Sequence, residues 1–139
     1  MSFREKSNLA MLAIFLLAYG WYFMAVTPVA LSGAPSIAEI DGLFLAAIVF
    51  LVAGGIVAHI LIAIVGKDDE EDADERDRMI EMRADAKTSY VIGAAAIIAM
   101  GLALKEFDPF WIAHTILAGL VVAEITKAVL RAIAYRFGG

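Results

Sequence analysis

The chain has 139 residues, of which 62% are hydrophobic and 19% charged, with a mean hydropathy of +0.81. Soluble domains average about 45–50% apolar and about 25% charged residues, so an ordinary water-soluble globule is disfavoured, and the length allows one domain. The absence of cysteine excludes disulfides, thiolate metal sites and cysteine nucleophiles, and a net charge of −5 argues against a nucleic-acid surface, which would show a basic patch.

No Asp, Glu, Lys or Arg occurs in 7–38, 42–66, 88–104 or 109–123. A helix crosses roughly 30 Å of hydrocarbon in about 20 residues. Lipid offers the backbone no hydrogen bonds, so such runs must be helices, and transmembrane barrels start at about eight strands. The first span is expected at about 8–28. Arg4 and Lys6 ahead of it resemble the basic start of a leader, but its apolar run far exceeds a leader core of about 7–15 residues. Thr27-Pro28 and Ser32-Gly33 mark its end and the turn that follows. The second span is expected at 43–65, with Ser36 and Glu39 spaced as a capping box; Ser2 and Glu5 have the same spacing at the N-terminus. The third span is expected at 88–104. The fourth, at 110–131, opens on Asp108-Pro109 as N-cap and first helical residue. It runs through Glu124 and Lys127 toward Arg131 because Ile125, Ala128, Val129 and Leu130 keep it apolar. The expected fold is all-α: a single-domain integral membrane four-helix bundle.

Basic residues set the orientation. With the N-terminus cytoplasmic, ten of the 11 bases lie inside: Arg4, Lys6, Lys67, Arg76, Arg78, Arg83, Lys87, Lys127, Arg131 and Arg136. Only Lys105 falls outside, a strong positive-inside bias. Both termini are then cytoplasmic. Tyr19, Trp21, Tyr22, Phe107, Phe110 and Trp111 gather toward the outer face and Tyr90 and Tyr135 toward the inner one, as aromatic belts do.

Segment 67–87 carries ten acids against five bases, which accounts for the whole net charge. It has no Gly or Pro, and Asp72–Arg76 and Asp74–Arg78 are favourable i,i+4 pairs. A helix is therefore expected from about residue 72, running unbroken into the third span. Its soluble part would extend roughly 24 Å into the cytoplasm, at about 1.5 Å per residue. Met79, Met82, Ala86 and Tyr90 share one stripe of it. The segment lacks the glycine of an EF-hand loop. It is a solvated stalk, a loose divalent-cation site, or a docking surface for a basic cytoplasmic protein, with Asp74, Glu75, Arg76, Asp77, Arg78 and Glu81 as the candidate docking residues.

The run Asp74-Glu75-Arg76-Asp77-Arg78-Met79-Ile80-Glu81-Met82-Arg83 resembles a motif of uncharacterised small bacterial inner-membrane proteins with four spans. Tyr135-Arg136-Phe137-Gly138 is similar to their Tyr-Arg-Arg-Gly ending, with Phe137 departing from it. The resemblance implies four spans, a bacterial inner membrane and a regulated envelope or stress role. It carries over no catalytic residue.

Ionisable groups at membrane depth are functional candidates by default: His59, Glu124 and Lys127. His59 and Glu124 lie at similar expected depths, roughly 9 and 10 Å from the inner boundary by helical rise, which allows a contact between spans two and four. Glu124 would exchange a proton or bind a cation, tuned by His59. Alternatively Lys127, three residues on, neutralises it and snorkels to the interface. His59 and His114 are roughly 15 Å apart in depth, too far to share one haem iron. His114 is expected to be an interfacial polar group or to bond across helices. No cofactor or metal is expected.

Small residues allow helices to approach closely in lipid. Ala95, Ala99 and Ala103, Gly54 and Ala58, and Gly119 and Ala123 supply such faces, for packing within the bundle or for a homodimer. The function expected is non-enzymatic, accessory or regulatory, with the acidic helix as docking surface. The alternative is a small proton-coupled transporter working as an oligomer through Glu124. It resembles small multidrug-resistance transporters in length and span number, but departs from them in placing its glutamate in span four beside a lysine. A cavity reaching Glu124 would favour transport.

Overall fold

The structure, a computed structural model, describes residues 3–33, 35–65 and 75–137. Helix α1 runs Phe3–Ala30, α2 Asp41–Val65, α3 Glu75–Leu104 and α4 Pro109–Phe137, with one 3-10 turn at Ile37–Glu39. All described secondary structure is helical. Three helices are long and apolar enough to cross a membrane: α1, α2 and α3. Only 17%, 11% and 11% of their most apolar windows is buried inside the protein, so most of this apolar surface has no protein cover. Helix α4 spans 29 residues but does not join that set; His114, Glu124, Lys127 and Arg131 are spread along it. The outward hydroxyls of Thr27, Thr115 and Thr126 donate to carbonyls four residues back (2.7–2.8 Å). Polar atoms satisfied this way need no water.

The helix ends follow local chemistry. Pro28 stands in the last turn of α1, where it withholds the N–H that would bond Met24 O and the helix ends two residues later, and Gly33 takes a left-handed φ of 84° in the turn. The capping box expected at Ser36 and Glu39 does not form. Ser36 makes no side-chain cap bond; its carbonyl accepts from Glu39 N–H instead and closes the 3-10 turn, so α2 starts at Asp41. Asp108 caps α4 as expected, its Oδ1 accepting from Phe110 N–H at 2.8 Å, with Pro109 in first position. Helix α3 ends in a Schellman motif: Phe107 N–H bonds Leu102 O, Glu106 N–H bonds Ala103 O, and Glu106 sits at φ 57° where glycine is usual.

Helix α3 packs on α4, α4 on α1, and α1 on α2; α2 and α3 share no packed interface among the described residues. The bundle is thus an open row, α2–α1–α4–α3. Its core lies at the end where α1 finishes and α2 and α4 begin, built from Tyr22, Val26, Ile40, Ala47 and Phe110. Tyr22 and Phe110, placed in the outer aromatic belt by the sequence, are instead buried there (1% exposed each), while Trp21, Phe107 and Trp111 are exposed. Two of the small-residue faces meet neighbours inside the row, while Ala103 is exposed. A Cβ on Gly119 would overlap the Ala95 methyl of α3, and one on Gly54 would meet Ile14 of α1 at 3.3 Å.

Candidate functional site

The charged halves of α3 and α4 meet. Glu81 and Asp85 are four apart on α3; Lys127 and Arg131 are four apart on α4. Each like-charged i,i+4 pair is unfavourable alone, and antiparallel packing brings the two pairs together. Lys127 Nζ reaches Asp85 Oδ1 at 2.6 Å, and Arg131 Nη2 lies 3.7 Å from Asp85 and 3.9 Å from Glu81. Ile80, Ala84 and Thr88 are buried along the same seam. The charged half of α3 is therefore no solitary stalk, as the sequence suggested, but is clamped to α4. Among the expected docking residues, Glu81 turns toward α4, Asp77 is half-buried, and Glu75, Arg76 and Arg78 are exposed; Asp74 lies outside the described residues, as do Asp72 and both expected ion pairs that include these two. Met79, Met82, Arg83 and Lys87 also face outward. On the described part of α3 the bases Arg76, Arg78, Arg83 and Lys87 are exposed, while Glu81 and Asp85 pair with bases of α4.

The three intramembrane candidates do not converge. Glu124 makes no hydrogen bond or ion pair among the described residues, and Lys127 bonds Asp85 rather than its neighbour three residues back. Glu124, Lys127 and Arg131 line a cavity of about 160 Å³ between α4 and α1, completed by Asn8, Met11, Leu12, Phe15 and Ala128. Asn8 Nδ2 donates to Ala128 O at 2.8 Å, tying α1 to α4 there. Arg131 Nε is buried and has no hydrogen-bond partner among the described residues. His59 faces α1, not α4. Its Nδ1 lies 2.8 Å from Gly55 O and its Nε2 3.2 Å from Ser7 Oγ. A carbonyl only accepts, so Nδ1 carries the proton and Nε2 accepts from the serine.

His114 repeats this arrangement at the opposite end. Nδ1–H donates to Phe110 O (2.7 Å) and Nε2 accepts from the Tyr22 hydroxyl (3.0 Å). The Tyr22 and His114 rings stack at 5.9 Å, and the Phe110 and His114 rings at 4.1 Å. This is the cross-helix bond expected of His114. Each histidine has both ring nitrogens engaged within the chain.

Sequence reasoning missed Asp85, Arg131, Asn8, Ser7 and Tyr22. The signal available was the pair of like-charged i,i+4 couples, and the two polar residues Ser7 and Asn8 opening an uncharged run. Among the described residues no group of three or more carboxylate or histidine side chains converges to hold a metal ion. Comparison with known proteins adds no relative: no family model, curated protein or solved structure matches the chain.

Proposed function

We propose that the chain is a non-enzymatic multi-pass protein of a bacterial inner membrane, with four spans and both termini cytoplasmic, acting as an accessory or regulatory subunit. The observation that carries this is the clamp between the charged halves of α3 and α4. It holds Arg76, Arg78, Met79, Met82 and Arg83 outward on a fixed helix at the end where the chain's bases gather. A fixed face with exposed methionines between charges suits docking of another protein. A basic partner would meet Glu75 and the acids of 68–74; the outward bases suit an acidic patch on the same partner. Cross-linking from a photoreactive residue at position 79 or 82 in cells, followed by identification of the adduct, tests this. One discrete adduct, lost on Arg83→Glu, supports it; adducts with lipid alone contradict it.

A second reading rests on Glu124. The sequence made masking by Lys127 the main objection to a proton-carrying or cation-binding glutamate. Lys127 is drawn to Asp85, and a cavity reaches Glu124. Both features favour a proton-coupled transporter, working as an oligomer. Glu124→Gln abolishes proton-coupled uptake in this reading. A variant that is stable and still moves protons with substrate rules Glu124 out.

A further inference from the structure

A second cavity lies far from the charged halves, at the end where α1 finishes and α2 and α4 begin. It measures about 380 Å³, within the range of about 300–1,000 Å³ usual for small-molecule sites. Its walls are Tyr22 of α1, Ile40 just before α2, Phe44 of α2, and Ala113, His114 and Leu117 of α4, and Asp41 is the one charged residue among the described residues lining it. We propose that this cavity binds small organic cations that carry an apolar or aromatic body.

Charge complementarity selects the cation. Both ring nitrogens of His114 are engaged within the chain, by Phe110 O and the Tyr22 hydroxyl, so neither is offered to a ligand. Among the described lining residues Asp41 is the one carboxylate, and no Lys or Arg stands with it. Three rings line the same space, and the Tyr22 and Phe44 rings stand edge to face at 6.0 Å. Aromatic faces attract organic cations, and the aliphatic side chains take up the body of such a ion's apolar substituents. An anion would meet Asp41 with no base to offset it, and an uncharged hydrocarbon would leave the carboxylate unused. The site is independent of Glu124 and of the α3–α4 clamp.

Equilibrium dialysis of labelled benzyltrimethylammonium against the full chain in nanodiscs of zwitterionic lipid tests this. The uncharged isostere neopentylbenzene serves as competitor. Saturable binding is expected, weakened about fivefold by Asp41→Asn, as loss of a partly exposed charge contact implies. Ala113→Phe, which places a ring in the cavity from an exposed position, should abolish it, while Glu124→Gln leaves it unchanged. Helix content and melting temperature of each variant confirm folding. Absence of saturable binding to the wild-type chain overturns the proposal. So does wild-type binding by either Asp41→Asn or Ala113→Phe, or equal competition by the uncharged isostere.

Discussion

Replacing Gly119 by alanine tests the α3–α4 interface at its narrowest point. The added methyl would overlap the Ala95 methyl, which is fixed to the α3 backbone and cannot rotate away. The helices must separate locally, and overpacking of this kind costs about 1–3 kcal/mol. Alanine also gains about 1 kcal/mol over glycine in a helix, so the net loss should be up to about 2 kcal/mol. Gly93 and Gly101 of α3 provide the internal control, since a Cβ there meets nothing within 4 Å. Alanine at those positions should stabilise, by up to about 1 kcal/mol. Ala95→Gly combined with Gly119→Ala moves the methyl across the interface and should recover most of the loss. Reversible unfolding in mixed micelles, followed by circular dichroism, reads all four variants. If Gly119→Ala matches Gly93→Ala in sign, or the double variant recovers nothing, the close approach is wrong.

Glu106→Gly should raise the melting temperature, by removing a left-handed strain of about 1 kcal/mol; a fall would mean that the glutamate side chain contributes more than the strain. A double-mutant cycle on Lys127→Met and Asp85→Asn should give a coupling below about 1 kcal/mol, because the pair is partly exposed. A coupling several times larger would place the pair in a dry environment. Tyr22→Phe leaves His114 Nε2 without its donor and should destabilise by about 1 kcal/mol or more; unchanged stability would contradict the assigned tautomer.

Helix number and most boundaries were legible because uncharged runs and helix caps are local signals. Asp108-Pro109 opens α4 where the sequence placed it, and α3 continues unbroken from its charged half into its apolar one. The Ser36–Glu39 spacing misled because the same spacing suits a 3-10 turn closed by the serine carbonyl. Pair choice was not legible. Lys127 has Glu124 three residues away, yet bonds Asp85, because the Gly119–Ala95 approach sets the register between α3 and α4. His59 and Glu124 agree in depth but not in azimuth: the Ser7 bond turns His59 toward α1. Tyr22 and Phe110 read as belt aromatics until His114, 92 residues from Tyr22, supplies the partner that buries them.

In the proposed arrangement the apolar faces of these helices lie in a bilayer, with the charged end of α3 and both termini on one side. The chain has no cysteine, so single cysteines report without background. In sealed inside-out vesicles, a membrane-impermeant maleimide should label Glu75→Cys and Arg136→Cys. It should spare Ser32→Cys and Lys105→Cys until the vesicles are opened, and Val52→Cys and Ile97→Cys until detergent is added. Free labelling at positions 52 and 97, or positions 75 and 136 falling on opposite sides, would contradict the account.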